Sequence, residues 1–268
     1  MIRPLAAAAF AAALALSVPA LCSAAPPAAL ELAPGDKVVL LGNALAERMQ
    51  RANHFETLLH SRYPQHQLVV RNVGWSGDEP GLRPRSKDFA DHGWTLKDQK
   101  PDALVLFFGF NESFAGPEGV ADYKARLAKF IADAKANETS QGKPLKLALV
   151  SPIAAEQIED AESGYLSSVR DFAPVNENLE LYAAATKEVA DGADAVFVDA
   201  FAPTAELYDR VADPLTSNGV HLNDAGYARL APILDVGLFG PRPAETVFDE
   251  RTTERLRAEI AEKNLQVW

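Results

Sequence analysis

Short, nearly continuous apolar runs alternate along the chain with longer stretches in which apolar residues return every three or four positions. The runs are KVVLLG (37–42), QLVVRNVG (67–74), DALVLFFGF (102–110), LKLALVSP (145–152) and DAVFVDA (194–200). Continuous rather than alternating apolarity marks strands covered on both faces. Between the first two runs, ALAERMQRANHFETLLHSRYP puts Leu45, Met49, Ala52, Phe55 and Leu59 on one stripe, which predicts a single surface-packed helix stopped by Pro64. Further helices are predicted from Val120 to Ala136, with Tyr123, Leu127, Phe130 and Ile131 facing the core, from Val175 to Val189, and from Asn223 to Leu238, with Asn223 as the cap. Strands separated by helices imply right-handed crossovers and an α/β fold around a five-stranded parallel, doubly wound sheet, with chemistry expected at the carboxyl ends of its strands.

Two stretches carry no clear period, 75–100 and 152–174, and long loops over that edge of a sheet commonly shape a binding site. Residues 1–24 combine Arg3, an Ala-rich apolar run and small residues up to Ala24, the pattern of a cleaved secretory signal peptide. A membrane anchor fits less well because Pro19 interrupts the run, and a lipid anchor on Cys22 conflicts with bulky Leu21 before it. The expected organisation is therefore signal peptide 1–24, flexible lead-in 25–35, one domain over 36–240, and a charged helical extension, 241–268, packed on its outside. The mature protein is expected in the periplasm or outside the cell, without a transmembrane span.

Charge and cysteine narrow the chemistry. With 26 Lys and Arg against 37 Asp and Glu the net charge is −11, which disfavours nucleic acid and anionic membranes as partners because both are held by basic side chains. Cys22 is the only cysteine, so cleavage would leave neither a disulfide nor a thiol nucleophile. His54, His60, His66 and His92 lack metal-ligand spacing, and no metal or cofactor is expected. Trp75 and Trp94 are candidates to stack on a sugar ring or acyl chain, with packing beneath the loop as the plainer role; Asp88, Asp91 and Asp98 suit a solvated face.

The turns that follow the strands carry the most specific signal: Gly42-Asn43-Ala44-Leu45, then Asn72-Val73-Gly74-Trp75-Ser76-Gly77-Asp78, then Gly109-Phe110-Asn111-Glu112, and late in the chain Asn218-Gly219-Val220-His221. In order and placement these blocks resemble the SGNH, or GDSL-type, hydrolases, a family of esterases and lipases with a three-layer flavodoxin-like fold. The resemblance spans roughly residues 36–240. It implies a nucleophilic serine at position 44, where this chain has alanine. It implies oxyanion-hole donors from the Gly77 backbone N–H and the Asn111 side chain, a base at His221, and an orienting aspartate at position 218, where this chain has asparagine. Glu112 likewise replaces an aspartate of the third block. Asn43, Ser76 and Trp75 are the expected ligand-binding neighbours.

A methyl group cannot attack a carbonyl, so acyl-enzyme chemistry through Ala44 is excluded. An asparagine at the acid position orients a histidine without supplying an anion, and that replacement costs about 10⁴ in turnover in a serine protease. Donors aimed at one point still bind a carbonyl. Two functions follow as expectations: a degenerate esterase serving as a binding or scaffold domain for an ester or acylated-glycan ligand, or an ester hydrolase using His221-activated water or an unusual nucleophile. Ser76, Ser113 and Ser217 are the other serines near the blocks, expected respectively as a turn hydroxyl bonding nearby backbone, a helix cap and a loop residue. Protein partners have no signal in the sequence.

Overall fold

The computed structural model describes residues 29–83, 95–137, 142–158, 171–246 and 248–267. The predicted signal peptide, with Arg3 and Cys22, lies outside those residues, as do Asp88, Asp91, His92 and Trp94. All five apolar runs contain strands: β1 (Lys37–Gly42), β2 (Val69–Asn72), β3 (Ala103–Phe107), β4 (Lys146–Val150) and β5 (Val196–Val198). They pair in parallel in the order β2-β1-β3-β4-β5. After β1 the chain goes to one side to make β2 and then crosses to the other side to make β3. Connections that leave β1 in opposite directions open a crevice at the carboxyl ends of β1 and β3, the switch point of a flavodoxin-like sheet.

Period-two alternation then separates two cores. Val38 and Leu40 face one way and meet Met49, Phe55 and Leu59 together with Leu230 and Leu234; Val39 and Leu41 face the other way and meet Tyr123, Leu127, Tyr182 and Val189. The first layer is made by α1 (Ala44–Ala52), α2 (His54–Arg62) and a later helix over Asp224–Phe239, the second by helices over Val120–Asn137 and Ala173–Gly192. The result is a three-layer α/β sandwich, with the sheet apolar on both faces as its sequence requires.

The stripe over 44–64 is not one helix. Asn53 adopts a left-handed conformation (φ 60°), ends α1 by donating its N–H to Met49 O at 2.9 Å, and starts α2 by accepting from Thr57 N at 3.0 Å. Asparagine tolerates that backbone because its short amide bonds locally, here to Arg51 O at 2.8 Å. The apolar spacing continues through the break because both halves lie on the same sheet face.

Residues 95–100 of the first unassigned stretch contain one turn of helix, α3 (Leu96–Gln99). In chain order the remaining helices are α4 (Val120–Asn137), α5 (Ala173–Gly192), α6 (Phe201–Arg210), α7 (Asp224–Phe239) and α8 (Glu250–Val267). Helix α6 has no counterpart in the sequence reading; it is short, and its inner face of Phe201, Thr204 and Tyr208 is only partly buried apart from Thr204. Asn223 caps α7 through a bond from Gly226 N at 2.9 Å. Helix α8 lies against α1 and α2 with Ile260 buried. Among the described residues no helix is long and apolar enough to cross a membrane.

Candidate active site

The first block is placed by a close approach between β1 and β3. Gly42 pairs with Phe107 in the sheet, and a Cβ at position 42 would stand 2.2 Å from Phe107 O, so only glycine allows the strands to close there. The chain turns immediately: Asn43, 3% exposed, caps α1 by accepting from Leu45 N at 3.1 Å. Ala44 is thereby the first residue of α1, at the crevice.

The last block is held from below by a residue the sequence did not single out. Glu156 is buried after β4, with no cation bonded to it among the described residues; its carboxylate accepts from Leu215 N (2.9 Å), Thr216 N (2.7 Å) and Thr216 Oγ1 (2.6 Å). Its own N–H donates to Gly219 O at 2.7 Å, and Ser217 N closes the loop onto His221 O at 2.8 Å. A buried carboxylate saturated by loop donors makes that loop rigid. The only sequence signal for it was a lone acid just past a buried strand.

On this loop the Asn218 amide meets the His221 ring. Asn218 Oδ1 accepts from His221 N at 2.9 Å and Val220 N at 3.3 Å, and Nδ2 lies 3.0 Å from His221 Nδ1, with Oδ1 at 3.2 Å. Burial, followed by the positive charge of Arg48, lowers the His221 pKa, and Glu47 opposes them. Burial and Arg48 thus favour the neutral form of the ring. Glu47 and Arg48, one turn along α1 from Ala44, are further residues of this neighbourhood that the sequence reading missed.

Ala44, Asn43 and His221 line one small cavity of about 20 Å³, room for about one water, that opens to solvent and whose other walls include Phe107, Phe110, Ile153, Val220 and Tyr227. The Tyr227 hydroxyl donates to Leu45 O at 3.1 Å, tying α7 to the start of α1. Gly77, Asn111, Ser76 and Trp75 are not in that wall. They lie along the same edge: Trp75 N donates to Gly42 O at 2.9 Å, and Asn111 Nδ2 spends one hydrogen on Asp78 O at 3.0 Å. Gly77 is exposed with φ 87°.

Two expectations for serines change. Ser76 bonds not to nearby backbone but to a carboxylate, its N–H and hydroxyl both donating to Glu47 Oε2. Ser113 is not a helix cap; it sits within the 3₁₀ turn Glu112–Ala115 and donates to Phe110 O at 2.7 Å. Glu112, 3% exposed, accepts from Gly109 N at 2.9 Å, and its other oxygen is buried without a hydrogen-bond partner among the described residues. Burial pushes its pKa up to about 7. Among the described residues no three His, Cys, Asp or Glu side chains are grouped to hold a metal ion.

Residues 38–229 match the model of the GDSL-like lipase/acylhydrolase family. The chain belongs to that family. Among solved structures, an acetylxylan esterase, Axe2 of Geobacillus stearothermophilus, is 19% identical with a TM-score of 0.57, over 77% of this chain and 95% of that one. A catalytic mutant of Axe2 with alanine in place of a serine is 20% identical with a TM-score of 0.57, over 77% of this chain and 95% of that one. A protein of Parabacteroides merdae described as a GDSL-like lipase is 15% identical with a TM-score of 0.59, over 79% and 99% of the two chains. No curated protein sequence matches significantly. At these identities the likeness speaks for the GDSL fold, and the chemistry has to be argued from the side chains present.

Proposed function

We propose that this chain is an exported GDSL-fold protein that binds an ester, in the manner of an acylated glycan, without cleaving it through a serine. The observation that carries the reading is the shared cavity: the methyl of Ala44 and the ring of His221 line one space at the sheet's switch point. An esterase of this family needs an oxygen nucleophile there, and a methyl offers none. Replacement of the triad acid by Asn218 removes the anion that stabilises a protonated histidine, so two parts of the catalytic unit have been lost together. Gly77 and Asn111 keep the donor types that hold a carbonyl, which suits retention of the ligand. The acylated-glycan class is supported by the acetylxylan esterase among the structural neighbours, and export by the apolar leader at 1–24.

A second reading, hydrolysis by His221-activated water or by Ser76, is favoured by one observation: the Ser76 hydroxyl bonds to the Glu47 carboxylate. Purified protein tests both. The binding reading expects p-nitrophenyl acetate turnover no higher than that of His221→Ala, and no labelling by a fluorophosphonate probe. A label mapped to Ser76 or Ser113, or turnover that His221→Ala abolishes, would overturn it.

A further inference from the structure

Asn218 cannot be turned over in its place. Its Oδ1 receives the main-chain N–H of His221 at 2.9 Å and of Val220 at 3.3 Å; exchanging oxygen and nitrogen would set a donor against these donors. The amide nitrogen therefore stays beside the ring, and at 3.0 Å it is the nearer of the two amide atoms to His221 Nδ1. The shorter contact, from the amide N–H, favours a lone pair on Nδ1 over the 3.2 Å alternative in which Oδ1 would accept from a protonated Nδ1. In the neutral ring the proton then sits on Nε2, on the edge of the imidazole away from Asn218.

The rest of the cavity wall leaves few polar atoms to compete with the ring. Ser151 Oγ accepts from Ala200 N at 2.8 Å and Phe201 N at 3.1 Å and donates to Pro152 O at 3.0 Å. Asn43 spends its side-chain oxygen on Leu45 N at 3.1 Å. The Asn43 and Ser151 oxygens are committed, the Tyr227 hydroxyl gives its proton to Leu45 O at 3.1 Å, and Ala44, Phe107, Phe110, Ile153 and Val220 contribute only carbon from their side chains. What such a wall offers a ligand is mostly hydrocarbon, with the His221 ring and the Tyr227 oxygen as polar atoms.

We propose that Asn218 reverses the proton on His221, making Nε2 a hydrogen-bond donor instead of a base, and that the cavity holds an oxygen acceptor carrying a short alkyl group, as in an acyl ester or a small carboxylate. This deepens the binding reading above and rests on its treatment of Ala44 as a position without a nucleophile. An aspartate at 218 would present oxygen to Nδ1 and draw the proton there, leaving Nε2 free to accept. The asparagine exchanges the ring's two roles with its shape intact. A water beside Nε2 is then a hydrogen-bond acceptor and is not deprotonated by it.

Long-range ¹H–¹⁵N NMR on the full uniformly labelled chain at pH 8, with His221 assigned by its loss in His221→Gln, reads the tautomer directly. The expected result is a protonated Nε2 and an unprotonated Nδ1, reversed in Asn218→Asp, with Asn218→Ala as a second variant that loses the bias should the aspartate perturb the loop. Sodium acetate and methyl acetate are then titrated separately as probes of the charged and the neutral acceptor. The expected result is a saturable shift of the His221 Nε2 resonance with at least one of them, weakened in Asn218→Asp. A proton on Nδ1 in the wild-type chain, or no shift with either probe, would overturn the proposal. Ester turnover with the proton on Nε2 would instead overturn the binding reading alone, so the two failures are separable.

Discussion

At position 44 the catalytic problem reduces to one missing oxygen, and at 218 to one amide nitrogen in place of a second carboxylate oxygen. Ala44→Ser alone restores a nucleophile beside a histidine that still lacks its anion. Adding Asn218→Asp should raise p-nitrophenyl acetate turnover over the single variant by up to about 10⁴-fold, the cost of the reverse change in a serine protease. Equal rates for the single and double variants would show that residue 218 does not act through the ring. Glu112 offers a second test at this scale, in stability. Burial raises its folded pKa from 4.5 to about 7, so the folded state binds that proton more tightly than the unfolded chain does. Its contribution is fully present below about pH 4.5 and is lost as pH rises through about 7. Urea denaturation should show a component of stability, about 3 kcal/mol at most, disappearing between pH 5 and 8. Glu112→Gln should flatten that component, and an unchanged pH profile in the variant would show that the carboxyl is not its source.

Among the elements, the break at Asn53 decides how α1 reaches the crevice. Alanine there would keep the left-handed backbone without the amide bonds to Arg51 O at 2.8 Å and from Asn264 Nδ2 at 2.8 Å. Asn53→Ala is expected to lower stability by about 1–2 kcal/mol. Asn53→Gly, which loses the same amide bonds but adopts the left-handed backbone without strain, should lose less; thermal melts of the two variants distinguish them. The break also marks where sequence reading stops. Every strand was legible because continuous apolarity and period-two burial leave one interpretation of runs such as 102–110. A helical stripe, by contrast, runs on unchanged through Asn53, since an interruption of one residue leaves both halves on the same face. Ala44, Asn218 and His221 were legible in the sequence through the blocks that carry the family resemblance, and Ala44 and His221 line one cavity. Glu156 was not, because its three bonds go to residues about 60 positions away, and neither were Glu47 and Arg48, whose influence on His221 depends on how α1 sits. The bond from Asn111 to Asp78 O likewise depends on the turn and not on the motif.

Across the whole molecule, the layer that carries Ala44 is fastened by a buried ion pair. Arg62 of α2, 5% exposed in its side chain, makes two bonds of 2.9 Å to Asp235 of α7, 2% exposed, and Arg242 adds a contact at 3.2 Å. Removing one member leaves an uncompensated charge in the interior, so Arg62→Ala or Asp235→Ala should each cost about 3–5 kcal/mol. The paired change Arg62→Met with Asp235→Leu should recover most of that. Denaturant midpoints of the three variants provide the measurement, and additive losses in the double variant would show that the residues act independently.

Helix α8 grips the same layer from outside. Asn264 Nδ2 bonds to Gln50 O at 3.2 Å and to the Asn53 side chain, Lys263 reaches Glu56, and Arg257 Nε bonds to Ala52 O at 3.2 Å. These contacts brace the elbow between α1 and α2, and the far tip of α1 is Ala44. The arm is short and stiff, so any load or ligand that levers α8 away at the elbow would swing that tip relative to the imidazole across the crevice.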